Sequence, residues 1–129
     1  MNKNLPQYAP AILRLSISFI FLWFGINQLI NPQWFMGYLP LWALKIASAS
    51  TILVINGLFE LALGLLLLLG IAVRISSLLL SLHLFLISLS LGYNDLMIRD
   101  LGLSLVTFTV FLYGNDKWCL GKKIFHKIP

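Results

Sequence analysis

The stretch NGLFELALGLLLLLGIAVR, residues 56–74, decides how this chain is read. Hydrocarbon side chains run almost unbroken from 51 to 73. A helix crosses a bilayer with roughly 20 residues at about 1.5 Å rise each. Inside that run stands one carboxylate, Glu60. A charge at the centre of a membrane helix costs on the order of 2.5–3.5 kcal/mol by insertion scales. Glu60 is therefore expected to face other helices and to have a partner. Asn56, Glu60 and Gly64 are spaced i, i+4, i+8 and share one face. That face, polar at one end and small at the other, is the inward face of a helix in a membrane bundle.

The rest of the chain extends the pattern. Of 129 residues, 60% are hydrophobic and 10% charged, where soluble domains carry about 25% charged residues. The mean hydropathy is +0.94. The expected fold is all-α: a single-domain integral membrane four-helix bundle, with spans at about 11–30, 51–73, 75–91 and 96–113 and a basic tail at 114–129. The first apolar run is read as a retained helix, because one early lysine, Lys3, precedes it and no small-residue cleavage site follows. Asn31-Pro32 ends the first span. The segment from 33 to 47 is too interrupted to span, and it holds Trp34, Phe35, Tyr38 and Trp42, residues suited to a membrane–water interface. An interfacial or re-entrant segment is expected there, either as an aromatic belt or as a lid over a lipid-facing pocket. Gly92-Tyr93-Asn94-Asp95 reads as a turn.

A net charge of +5 does not point to nucleic acid, because the basic residues sit at helix ends and in the tail. Four spans put both termini on one side. That side carries Lys3, Arg74 and the tail lysines 117, 122, 123 and 127, against Lys45 and an acid-flanked Arg99 opposite. Both termini are expected to be cytoplasmic. A single cysteine, Cys119 beside Trp118, excludes an internal disulfide and reads as a membrane-edge anchor. His83 and His126 lie far apart, so no metal or haem site is recognised.

The candidate site residues are the polar ones inside the spans. In the first, Arg14, Ser18, Phe21, Gly25 and Gln28 lie close to one face. In the third, Ser77, Ser81 and Ser88 form a small-residue face suited to close packing or self-association, with Ser76, His83 and Ser90 on a neighbouring face. In the fourth, Asp100, Ser104, Thr107 and Phe111 share a face, with Arg99 beside Asp100. Glu60 and His83 are both near mid-span, and a snorkelling Arg14 extends about a turn towards them. A triad of Arg14, Glu60 and His83 is one expectation. The plainer alternative is an ion pair that only holds the bundle together.

Three short motifs carry a family resemblance. They are Leu13-Arg14-Leu15 with Phe21-Leu22-Trp23-Phe24-Gly25, Gly57-Leu58-Phe59-Glu60-Leu61 through Leu69-Gly70 to Arg74, and Ile98-Arg99-Asp100-Leu101-Gly102-Leu103. Gly114 followed by Asn115-Asp116-Lys117-Trp118 fits the same pattern as a closing turn. Together they resemble the DoxX/DoxD-type membrane proteins, from Leu13 to Leu120. The resemblance implies a four-helix bundle in the bacterial cytoplasmic membrane. It also implies a quinone-linked oxidoreductase or oxidative-stress system, often with a soluble redox or thiol-handling partner. It puts Arg14, Glu60, Arg99 and Asp100 on the family's recurring polar positions. One position departs: Gln28 stands where family members often have lysine. On this reading Glu60 and Arg14 are catalytic, and Arg99, Asp100, Gln28, Asn56 and His83 bind a lipophilic substrate. The alternative is a non-catalytic scaffold that anchors a soluble partner through the basic tail.

Overall fold

The computed structural model describes residues 3–125. The tail residues His126 and Lys127 lie outside the described residues. Among the described residues six α-helices follow one another: α1 (Ala9–Ile30), α2 (Leu41–Leu44), α3 (Ala49–Leu69), α4 (Val73–Ser90), α5 (Asp95–Tyr113) and α6 (Leu120–Phe125). Four of them, α1, α3, α4 and α5, are long and apolar enough to cross a membrane. Only 22–33% of each apolar window is buried inside the chain, which leaves most of the helix surface for lipid. The chain is an integral membrane protein built as a helical bundle.

The four long helices alternate in direction. The two ends of the bundle are therefore chemically distinct. One, the terminal end, gathers the start of α1, the α3–α4 turn and the tail. The other, the loop end, gathers the segment between α1 and α3 and the α4–α5 turn. That longer segment forms two 3-10 turns, Pro32–Trp34 and Met36–Tyr38, and the four-residue α2. None of these is long enough to span.

The boundary between the second and third spans differs from the sequence expectation. The α3 helix stops at Leu69, not near 73, and α4 already begins at Val73, so Arg74 lies inside the next helix. The cause is Gly70. At φ 71° it takes the left-handed conformation that ends a helix, and Ile71 N–H then donates to Leu66 C=O while Gly70 N–H donates to Leu67 C=O. The turn is so short that Ala72 is also left-handed, at φ 48°.

The helices pack as two close pairs, α1 with α3 and α4 with α5. Glycine sets the first pair. A Cβ at Gly25 would lie 2.9 Å from Gly57 C=O, and one at Gly57 would lie 3.0 Å from Gly25 C=O. The two backbones touch where both side chains are missing. Serine sets the second pair. Ser81 Oγ donates to Ser104 C=O and Ser104 Oγ donates to Ser81 C=O, both at 2.9 Å. The serine face of α4 is thus spent inside the chain: Ser77, Ser81 and Ser88 are buried. It is not a free surface for self-association, as its spacing had suggested.

Where the two pairs meet, Ile17, Phe21, Leu67, Val73, Leu80, Leu84, Val110 and Cys119 form one buried core. It fills the half of the bundle nearer the terminal end. In the other half the pairs enclose a cavity, and Phe21 and Leu84 belong to both.

Candidate functional site

The cavity has a volume of about 560 Å³. That is within the roughly 300–1,000 Å³ common for small-molecule sites. Each long helix contributes to it. Gln28 comes from α1, Asn56 and Glu60 from α3, His83 and Ser90 from α4, and Arg99 and Asp100 from α5. The segment between α1 and α3 supplies Trp34, Phe35, Tyr38 and Trp42 as an aromatic wall. The sequence reading left open a plain belt or a lid, and the side chains line the cavity.

Glu60 is the centre of the polar wall. It is 4% exposed, and both carboxylate oxygens accept hydrogen bonds. Gln28 Nε2 donates to Oε2 at 3.0 Å. Asn56 Nδ2 donates to Oε1 at 3.2 Å and to Gln28 Oε1 at 2.6 Å. His83 Nε2 lies 3.3 Å from Glu60 Oε1, and its ring packs 4.7 Å from Phe59. The Gly25–Gly57 contact explains why these groups meet. Gln28 stands one turn after Gly25, and Glu60 one turn after Gly57, so backbone contact at the glycines brings the two polar side chains side by side.

A second polar pair lies on the α5 wall. Arg99 Nε donates to Asp100 Oδ1 at 2.9 Å, and Nη2 is 2.9 Å from the same oxygen. Asp100 is buried, while half of the Arg99 side chain is exposed. The helix beneath them is started by Asn94, whose Oδ1 accepts from Met97 N–H at 2.9 Å. Asp95 follows in the first turn, where its charge complements the helix dipole.

Arg14 is elsewhere. The structure does not bring it to Glu60 and His83, so the proposed triad does not form. Arg14 is 2% exposed, at the terminal end. Its Nε donates to Asp116 Oδ2 at 2.7 Å. Its Nη1 donates to two carbonyls where α3 ends, Leu67 C=O at 2.5 Å, which also accepts from Gly70 N–H, and Leu68 C=O at 2.9 Å. The cation also sits at the negative end of the α3 dipole. Asp116 further accepts from Trp118 N–H at 2.8 Å. Burial works against its charge, but the Arg14 guanidinium and the Trp118 N–H outweigh that and hold its carboxyl below the usual range. Cys119 is fully buried against Gly70, and burial pushes its thiol up. The sequence reading made Cys119 a membrane-edge anchor; it is a core residue instead. Trp118, stacked on Tyr8 at 5.3 Å, is the exposed neighbour.

Six of the seven expected site residues therefore line one cavity, and Arg14 does not. Among the described residues, no three His, Cys, Asp or Glu side chains are grouped so as to hold a metal ion.

The family model DoxX matches residues 9–91, more than half of the chain. The chain belongs to the DoxX family. The match takes in the polar centre formed by Gln28, Asn56, Glu60 and His83. Arg99, Asp100 and the closing turn at Gly114 lie beyond it. Comparisons with curated proteins and with solved structures give no match.

Proposed function

We propose that this DoxX protein binds a quinone and serves as the membrane subunit of a quinone-linked oxidoreductase. One observation carries the reading: a buried carboxylate, held by side chains from three helices, stands in an aromatic-walled cavity within a membrane bundle. Reduction of a quinone to a quinol takes up two electrons and two protons. The electrons come from a soluble redox or thiol-handling partner. Glu60 and His83 are the groups that hold protons beside the quinone oxygens. Arg99 stabilises negative charge as it develops on the ring oxygens. Gln28 and Asn56 keep the carboxylate in one orientation. The aromatic wall from Trp34 to Trp42 packs against the ring.

The orientation proposed is termini inside. Lys3, Arg74, Lys117, Lys122 and Lys123 gather at the terminal end, which makes that end cytoplasmic by the positive-inside rule. It places the cavity towards the opposite face of the membrane.

The test is mass spectrometry of what copurifies with the protein in mild detergent, beside a Glu60→Gln variant. Quinone retained by the native protein and lost from the folded variant is the expected result. Equal retention by both removes Glu60 from the site. A second reading, a scaffold for a soluble partner, is favoured by the tail. Asp116 and Gly121 tie it to the bundle, and Lys122 and Lys123 are exposed on α6. A stoichiometric soluble partner without quinone, lost on deletion of residues 117–129, is the outcome that selects it.

A further inference from the structure

The outer face of α1 carries a groove of about 260 Å³, lined by Phe19, Ile20, Trp23 and Phe24. Three of these, Ile20, Trp23 and Phe24, also line the cavity. The groove and the cavity are therefore two sides of one wall. Aromatic rings connect them further. Trp23 meets Phe24 edge-on at 5.1 Å, and Phe24 meets Phe35 edge-on at 6.0 Å. That chain of rings runs from the lipid-facing surface to the segment that walls the cavity. Phe19 and Trp23 are exposed, on a helix whose other face is buried.

The charges in the cavity limit the head of any ligand. Two carboxylates, Glu60 and Asp100, line it, and the one arginine, Arg99, is already engaged with Asp100. Gln28 and Asn56 add amides without charge. An anionic head would meet no lysine in this lining, and an arginine that already has a carboxylate partner.

We infer that the cavity holds the head of an uncharged membrane amphiphile, and that its apolar tail leaves past Ile20 and Phe24 to lie in the Phe19–Trp23 groove. This rests on the quinone reading for the ring, but the tail groove does not depend on which uncharged head occupies the cavity. A ligand of this shape reaches the site from within the bilayer, because its tail stays in the hydrocarbon throughout.

The experiment uses the full chain in lipid nanodiscs and two photoactivatable probes. One is a benzoquinone and the other an uncharged alcohol, each with the same ten-carbon tail ending in a diazirine. Labelled peptides are mapped by mass spectrometry, with and without excess unlabelled tailed compound. The expected result is labelling at Phe19 and Trp23 that the unlabelled quinone competes away. Phe19→Ala, which touches the groove and not the cavity, then lowers the competable labelling several-fold. Competable labelling with the alcohol probe alone overturns the quinone reading and keeps the groove. Competable labelling by the quinone probe at other helices keeps the quinone and overturns the groove. Labelling spread over all lipid-facing helices, uncompeted with either probe, overturns the groove as well.

Discussion

The two halves of this bundle each bury an ionisable side chain, and they treat it in opposite ways. At the terminal end, Arg14 meets a carboxylate of opposite charge and two helix-end carbonyls, and the surrounding core is closed. The guanidinium and the carboxylate are both engaged, with each other and with backbone groups. Towards the loop end, Glu60 meets two amides and one imidazole, and the space beside it is a cavity. A saturated cluster in a filled core is a structural device. A carboxylate held by amides and an imidazole in the wall of a cavity is a candidate site. The contrast separates two residues that insertion cost alone makes equally notable.

Removing Arg14 is the severest way to break the comparison. Arg14→Ala leaves Asp116 charged and buried, and takes a donor from Leu67 C=O and Leu68 C=O, of which Leu67 keeps the Gly70 N–H. Loss of one partner from a buried pair costs about 3–5 kcal/mol. The expected outcome is a large drop in the unfolding midpoint in detergent. Cys119, covered by the same contacts, reports the opening directly. Its alkylation by a membrane-permeant maleimide is expected to be slow in the native protein. In Arg14→Ala it is expected to be faster by on the order of a hundredfold to a thousandfold, since every 1.4 kcal/mol is about tenfold in an opening equilibrium. An unchanged rate would show that the terminal half is held closed by something other than this pair.

The cavity half is most sensitive at its glycines. Gly25→Ala puts a methyl 2.9 Å from Gly57 C=O and 2.9 Å from Leu61 N, both backbone atoms that cannot turn aside. Overpacking of this kind costs about 1–3 kcal/mol. The separation also pulls Gln28 from Glu60. The expected result is a smaller stability loss than for Arg14→Ala, together with loss of ligand retention. Gly102→Ala is the control, since a Cβ there meets nothing within 4 Å.

Much of the helix packing could be read from spacing. Helical spacing puts Arg14, Ser18, Phe21, Gly25 and Gln28 on one face of the first span, and all five are buried. Helical periodicity fixes which residues point the same way, so it served well within a helix. It does not fix which helices are neighbours. Depth alone pairs Arg14 with Glu60 and His83, whereas its partner in the structure, Asp116, is 102 residues away in the tail. Asp116 was overlooked because it sits among lysines and reads as solvated. Its flanks held a signal, since Gly114 and Trp118 mark a turn returning to the membrane edge. The Glu60 site held a clearer one. Gly25-x-x-Gln28 and Gly57-x-x-Glu60 repeat the same spacing on two spans, a small residue one turn before a polar one. Two such pairs predict a close crossing with the polar groups in contact.

Acid offers a milder test of the terminal half. The Asp116 carboxyl is held below its ordinary 3.8 in the folded chain. In the window between the folded value and 3.8, the unfolded chain binds more protons. The stabilisation is therefore fully present above 3.8 and is lost as pH falls through the folded value. The unfolding midpoint is expected to hold from neutral pH down to that window and then decline. In Asp116→Asn the midpoint starts lower and the acid decline is shallower. An identical decline in both proteins would assign the acid sensitivity to other carboxylates.

The smallest expected effect is the most discriminating. Glu60 and Leu67 are seven residues apart on α3, about 10 Å along the helix axis. They share no hydrogen-bond partner, and at that separation substitutions are usually additive to within about 0.5 kcal/mol. Glu60→Gln should thus leave the Cys119 alkylation rate unchanged while it abolishes ligand retention. Gln keeps the side-chain volume and one carbonyl acceptor, so Asn56 and His83 retain a partner after an amide turn. A rise in Cys119 alkylation in this variant would mean that the two halves open together. Glu60 would then be holding the bundle as Arg14 does, and the division between a structural end and a ligand end would fail.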